Sequence, residues 1–387
     1  MPGTFPGERV RFEVRKRGKG TQRGRVLELL EPRPDRREAP CAIADRCGGC
    51  PWMTLEPEGQ HALQAERGRT LATRVGFEGE VPVIAGSSVG YRRRARLAWK
   101  GSALGYRAAS SRQVVDAPEC LVLQPQLAAG WRALREALGG TLGGSGEIRM
   151  YRHGDAAVAL LETSDPQPPA VYDACRTLAA DPALAGVGLR VGEGEPAVFG
   201  ELGERYEGPD GQPLGGPPGG FSQAHDPLSL TLARDVEERA TAGLERPKMV
   251  ELHAGHGSFT VLLARHGELR AVEVSESACE SLRANLAARG LEATVVAADV
   301  ADQPRSFSPE LDVLVLDPPR TGAREPLERL LASKARPRIV YVSCDLATLE
   351  RDLGVLREAG YAVEELRLYE LFPQTARVEA LAVCAPA

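Results

Sequence analysis

Residues 248–274, KMVELHAGHGSFTVLLARHGELRAVEV, decide the fold. KMVEL and LRAVEV are short apolar runs of strand length, and GSFTVLLARHG between them has helical spacing. The alternation continues downstream. SESACESLRANLAARG predicts a helix with Ser275 as its N-cap, EPLERLLAS another helix, and ATVVAAD, LDVLVLD and RIVYVS further buried strands. From about residue 226 the chain therefore predicts a parallel, doubly wound α/β sheet.

In such a sheet ligands bind beyond the carboxyl ends of the strands, so residues at strand ends carry the chemistry. Glu251 ends the first strand and precedes HAGHGSF, where Gly255 and Gly257 allow a ligand to approach the backbone. The glycines alone suit a structural turn equally well. Glu273 and Asp299 end the next two strands, and a carboxylate at the second can accept hydrogen bonds from ribose hydroxyls. The loop lacks the full G-x-G-x-x-G pattern, which favours S-adenosylmethionine over a dinucleotide. Asp317 ends the following strand in LDPPRTG, aimed by a rigid proline pair. Cys344 follows RIVYVS directly and precedes a helix, whose N-terminus is expected to lower the thiol pKa. Glu379 lies in the apolar run RVEALAVC, where a carboxylate is costly unless paired or used, so a raised pKa suits it to take a proton. A buried packing thiol and a solvent-facing strand carboxylate are the plain alternatives.

With 387 residues, two or three domains are expected. No apolar run has membrane-spanning length and the start has no apolar signal core, so a cytoplasmic protein is expected and a membrane partner is not. In a reducing compartment, eight cysteines point to metal or catalysis rather than a disulfide framework. Cys41, Cys47 and Cys50, with the distant Cys120, form a set of four soft ligands that suits zinc or an iron–sulfur cluster. Cys175, Cys279 and Cys384 fall in apolar or helical contexts and are expected to pack. The net charge of −5 argues against a uniformly basic nucleic-acid binder, yet residues 91–115 carry only positive charge. Arg92, Arg93, Arg94, Arg96, Lys100, Arg107 and Arg112 are candidates for phosphate contacts, with Tyr91, Trp99 and Tyr106 for stacking on unpaired bases. Residues 7–30 alternate apolar and basic positions, which predicts strands of a small β-barrel, and EPRPDRREAP reads as a linker.

Seven stretches in order, APCAIADRCGGCPW, YRRRARLAW with LGYRAASSRQVVDAPEC, GGFSQAH, VELHAGHGSFT, LDPPRTG, IVYVSCDLATLERDL and FPQTARVEAL, resemble the RNA 5-methyluridine methyltransferases. The resemblance implies a class I Rossmann-like methyltransferase domain at 206–387, a central iron–sulfur and RNA-binding domain at 39–205, and a partial TRAM-like RNA-binding β-barrel at 1–38. The barrel's expected first strand is missing, so either the barrel is truncated or the start lies upstream of Met1. The resemblance also implies S-adenosylmethionine held at Gln223, His253, Ser258, Glu273, Asp299 and Asp317. It further implies a [4Fe–4S] cluster on Cys41, Cys47, Cys50 and Cys120, Cys344 as nucleophile and Glu379 as base. The expected substrate is 23S ribosomal RNA, with transfer RNA as the alternative, and a monomer is expected.

The chain departs from the family pattern at several points. His253, Ala254 and Gly255 replace an aromatic and a Cys-Gly pair, and Ser258 replaces Asn. Asp345-Leu346 replaces Asn-Pro after the nucleophile, and an ionised Asp345 would raise the thiol pKa. Arg377 stands for His, and His225 for Asn. An exocyclic-amine methyltransferase would carry an aromatic where Arg320 stands, and a cytosine-5 enzyme a Pro-Cys pair that is not seen after Asp317. A catalytically weakened iron–sulfur RNA-binding protein is the alternative from a different class.

Overall fold

The computed structural model describes residues 3–18, 21–300 and 307–387. The chain opens with an antiparallel hairpin of β1 (Arg9–Gly18) and β2 (Thr21–Glu31). Of the expected partial barrel, the described residues form this hairpin. The hairpin is a two-stranded sheet of its own, and Phe12, Val14, Leu27 and Leu30 stay exposed instead of closing over a core. Residues 1–2 and 19–20 of the expected barrel lie outside the described residues. The following linker is held by ion pairs, Arg36 to Glu8, Arg33 to Asp35 and Arg37 to Glu56.

Helix α1 (Pro57–Val75) leads to the short β3 (Val83–Ile84). The central sheet follows, built from β4 (Arg94–Lys100), β5 (Ala103–Arg107), β6 (Val114–Asp116), helix α2 (Pro125–Leu138), β7 (Ser145–His153) and β8 (Ala156–Thr163). Helix α3 (Pro169–Leu178), β9 (Leu184–Val191), β10 (Ala197–Gly200), β11 (Glu204–Glu207) and β12 (Pro213–Gly216) complete it. Helices α1, α2 and α3 each begin with proline, whose fixed φ suits the first turn and whose missing N–H is no loss there. The β11–β12 hairpin spans the junction expected at residues 205–206. It pairs with β7 through Arg205 and also packs on α6 (Glu276–Ala287) of the C-terminal unit.

The C-terminal unit adds α4 (Asp226–Thr241), β13 (Lys248–Leu252), α5 (Thr260–Leu263), β14 (Glu268–Glu273), β15 (Thr294–Ala297) and β16 (Val313–Leu316). Then come α7 (Arg324–Ala332), β17 (Arg338–Ser343), α8 (Leu346–Glu358), β18 (Tyr361–Tyr369) and β19 (Glu379–Pro386). The strand order is β15-β14-β13-β16-β17-β19-β18-β3. The five strands β13 to β17 pair in parallel as expected, but β19 runs antiparallel to both β17 and β18, so the sheet is mixed. The helix expected over 257–267 shrinks to the single turn of α5. The α1–β3 segment packs on this sheet although it precedes the central one in sequence.

Alternation along the inner strands fills both faces. Leu314, Leu316, Ile339 and Tyr341 enter one core and Val313, Val315, Val340 and Val342 the other. The sheet order reverses between β13 and β16, which opens a crevice at their carboxyl ends. Among the described residues no helix is long and apolar enough to cross a membrane.

Candidate active site

At that crevice β13 delivers Glu251 and then His253, whose φ of 64° is strained for a residue with a side chain. The turn continues through Gly257, φ 100°, where a Cβ would meet Leu282 Cδ1 at 2.3 Å. Glu273 at the end of β14 is oriented by two backbone donors, Gly255 N to Oε2 and Ser275 N to Oε1, both 2.9 Å. Ser275 caps α6 as expected. A narrow pocket gathers Gln223, His253, Ser258, Glu251 and Asp317. Four of the six residues expected at the donor site thus meet in one cavity; Glu273, at the end of β14, is bonded to the glycine loop beside it, and Asp299 does not line the cavity.

Electrostatics fit a cationic ligand there. Burial pushes Glu251 up to about 8, moderated by a 2.6 Å bond from Thr260 Oγ1, and Asp317 up to about 7. Burial also lowers the His253 pKa, which keeps its ring neutral and suited to stacking. Gln223 Oε1 is a buried acceptor without a hydrogen-bond partner.

The antiparallel course of β19 explains how Glu379 reaches this edge. A parallel strand brings its last residues here, whereas β19 brings its first. Ser343 pairs with Ala380, which sets Cys344 and Glu379 beside each other across β17 and β19. Glu379 is 2% exposed, and its Oε2 has no hydrogen-bond partner. Burial, then Asp317, raises its pKa well above the carboxylate range.

Cys344 differs from expectation. Its thiol is pushed up to about 11 by burial, then by Glu379 and Asp317, with Arg320 opposing. The start of α8 does not outweigh these groups. Asp345 Oδ1 caps α8, accepting from Ala347 N at 3.0 Å and Thr348 N at 3.1 Å.

Cys344 opens into a cleft of about 410 Å³ that Arg67, Arg74, Arg320 and Arg377 line. Arg74 is paired with Glu350, while Arg67, Arg320 and Arg377 make no ion pair among the described residues. Burial and the charges of Arg320 and Arg92 lower the Arg377 pKa, as expected of crowded cations. Three distant segments supply this cluster, so no single stretch of sequence displayed it. A second groove, of about 700 Å³, adjoins the cleft through Ala376 and Arg377 and runs past Arg92, Arg96 and Arg107 to Gly48 and Gly49.

The basic run 91–115 is only partly the expected RNA face. Tyr91 and Trp99 are 2% and 1% exposed and cannot stack on bases from outside. Tyr91 stacks on His225 instead, at 4.8 Å between ring centroids, and Trp99 Nε1 donates to Gly143 O at 2.9 Å. Arg93 is buried against Asp226, and Arg96 and Arg107 share Glu147. Arg92, Lys100 and Arg112 make no ion pair among the described residues and stay available to phosphate.

Comparison with known proteins follows the same line. A family model for tRNA (uracil-5-)-methyltransferase matches residues 305–384, and one for a methyltransferase small domain matches 214–334. The 23S rRNA (uracil(1939)-C(5))-methyltransferase RlmD of Chromohalobacter salexigens is 33% identical over 97% of this chain and 82% of its own length. The chain belongs to the RNA uracil-5 methyltransferase family. The same enzyme of Pseudomonas putida is 34% identical to this family member over 99% of the chain and 88% of its own. The solved Pyrococcus abyssi tRNA (uracil-54, C5)-methyltransferase, complexed with S-adenosyl-L-homocysteine, shares the fold. Its TM-score is 0.76 at 22% identity, over 99% of this chain and 95% of that one.

In this uracil-5 methyltransferase the four cysteines Cys41, Cys47, Cys50 and Cys120 are free, half-buried thiols. Among the described residues no three His, Cys, Asp or Glu side chains stand where they could hold a metal ion. The four thiols nevertheless share one environment. Burial raises Cys50 to about 12, and Cys120, Cys47 and Cys41 add to it. Gly49 N donates to Cys47 Sγ at 3.4 Å. Arg92 Nε is a buried donor without a partner, and the buried Tyr106 hydroxyl faces Cys120. Such donors suit an anionic sulfur centre. Cys175, Cys279 and Cys384 are buried packing residues, as expected.

Proposed function

We propose that this protein methylates C5 of a uridine in RNA, in 23S ribosomal RNA as the names of its curated relatives indicate, with S-adenosylmethionine as donor. The observation that carries the reading is the meeting of Cys344, Glu379 and the acidic pocket at one sheet edge. S-adenosylmethionine, when bound, supplies an electrophilic methyl group. Gln223, His253, Ser258, Glu273, Asp299 and Asp317 would hold it, with Glu251 and Asp317 balancing its positive charge.

Cys344 first releases its proton to solvent, and the thiolate adds to uracil C6, forming the S–C6 bond. The C5–C6 π pair moves toward O4, and C5 of the resulting enolate would take the methyl group, the S–CH3 electron pair staying on sulfur so that S-adenosylhomocysteine leaves. Glu379, as carboxylate, takes the proton from C5. The C–H electron pair restores the C5–C6 double bond and expels the Cys344 thiolate. Arg67, Arg320 and Arg377 suit phosphates flanking the flipped nucleotide.

Cys41, Cys47, Cys50 and Cys120 suit a [4Fe–4S] cluster that crosslinks the loops beside the RNA groove and takes no part in methyl transfer. The thiol set, the Gly49 N–H to Cys47, the unpartnered Arg92 Nε and the Tyr106 hydroxyl facing Cys120 support it. The hairpin of β1 and β2 is assigned to RNA contact as part of a TRAM-like element, and residues 206–387 to methyl transfer.

The test is anaerobic purification, iron and sulfide analysis, and incubation with labelled S-adenosylmethionine and undermodified total RNA, followed by nucleoside mass spectrometry. New 5-methyluridine in 23S RNA is expected. The modification in transfer RNA alone would move the substrate to the other branch, and none in any RNA from iron-loaded protein would support a binding protein.

A further inference from the structure

Glu379 is paired across the sheet with Tyr369, so residues 370–378 form a closed excursion between two neighbouring positions. This loop carries Arg377 and ends on the base. What fixes it is therefore part of how the base is aimed, and this inference rests on the proposed roles of Cys344 and Glu379.

The anchors come from the four-cysteine segment, the start of α1 and Tyr91. Gln374 N donates to Gln60 Oε1 at 2.9 Å, and Gln60 Nε2 donates back to Gln374 Oε1 at 2.8 Å. Gln60 Nε2 also lies 3.0 Å from Trp52 O, and Trp52 N donates to Gln374 O at 2.8 Å. Trp52 follows Cys50 by a single proline. Tyr91 donates its hydroxyl to Pro373 O at 3.3 Å, and Gln64 Nε2 reaches Thr375 O at 3.4 Å.

Gln374 and Gln60 are buried, at 1% and 5% exposure. Gln374 also holds a φ of 68°, a conformation unfavourable for any residue but glycine. Such strain persists where the surroundings over-determine the backbone, and it gathers at functional sites. Here the reciprocal amide bonds supply that constraint.

We propose that Gln60 and Gln374 are positioning residues for the proton-abstraction step, holding the loop that aims Glu379 against the cysteine segment. They touch neither uracil nor donor. Their removal should spare thiolate addition and methyl transfer and slow the loss of the C5 proton.

A substrate with fluorine at C5 separates the steps, because it allows addition and methyl transfer but has no proton to lose. Gln374→Gly accepts the left-handed φ and deletes the amide. It should lower kcat on uridine RNA about tenfold or more, leave KM within about twofold, and form the 5-fluorouridine adduct within about twofold of the wild-type rate. A covalent protein–RNA complex should also accumulate on ordinary uridine RNA, as it should for Glu379→Gln. Gln60→Ala should repeat the pattern from the other side of the pair. An unchanged kcat in both variants, or turnover and adduct formation falling in proportion, would overturn the proposal. Absence of any adduct in the wild type would instead remove the 5-methyluridine mechanism on which it rests.

Discussion

At the scale of single residues, the thiol and the carboxylate of the site both favour their protonated forms. Cys344 stands at about 11, and Glu379 and Asp317 are the charges that hold it there beyond burial. A negative neighbour raises a thiol, so removing it must lower the value. Glu379→Gln is expected to shift the pH profile of Cys344 alkylation by iodoacetamide to lower pH, and an unmoved profile would dismiss the coupling. The donor pocket has its own pH dependence. Glu251 and Asp317 titrate at about 8 and about 7, and a cationic ligand prefers their ionised forms. Affinity for S-adenosylmethionine should therefore rise from pH 6 and level off above about 8, with protons released on binding. Calorimetry in buffers of different ionisation enthalpy reads both, and a flat profile would exclude these carboxylates. The sequence displayed the strand-end acids because KMVEL, LRAVEV and LDVLVLD end on or beside them. It did not display the sign of the Cys344 shift, which depends on Glu379 and Asp317 arriving from other strands.

At the scale of elements, the turn after β16 shows how an active-site loop is held without regular structure. Asp352, fully buried in α8, accepts from Ala323 N and from the Tyr341 hydroxyl, both at 2.7 Å. It thereby braces the LDPPRTG turn that presents Asp317 and Arg320. Asp352→Ala leaves the buried Tyr341 hydroxyl without its acceptor, and Ala323 N with only that hydroxyl at 3.0 Å, and should cost about 1–3 kcal/mol, measured by urea unfolding. It should also weaken donor binding, and a variant as stable as wild type would show that the brace is dispensable. LATLERDL has the spacing of a helix, which is why α8 was legible, but the partners of Asp352 lie on β17 and α7's approach and were not. The helix expected after the glycine loop fared worse. Its apolar residues Val261, Leu262 and Leu263 are buried as a helix would bury them, yet the chain turns after one turn of α5 toward β14.

At the scale of the whole molecule, Arg93 ties the central sheet to the C-terminal one. Its guanidinium bonds Asp226 at the start of α4 at 2.5 Å and lies 3.6 Å from the Tyr206 ring centroid in β11. Tyr206 in turn lies 2.6 Å from His256 and 3.4 Å from Ser258 of the donor loop. His256 is lowered to about 3 by burial and then by Arg93, so its ring is neutral where it meets the Tyr206 hydroxyl. Arg93→Ala should destabilise the protein by about 3–5 kcal/mol, since it breaks a buried ion pair. A loss below about 1 kcal/mol in urea unfolding would mean that other contacts join the sheets. This network was hidden in the sequence because YRRRARLAW advertises charge without showing which arginine turns inward. The two-sheet plan was legible from periodicity, whereas the reversed direction of one strand was not.

That reversed strand bears on how the molecule is made. β19 comes after every other strand in the sequence but lies between β17 and β18. A ribosome delivers it after all its neighbours, so β18 and β3 can hydrogen-bond into the sheet only once this last strand is made. Glu379 arrives on the same piece. The edge at which Cys344 and Glu379 stand side by side is therefore completed only when this last strand docks on β17.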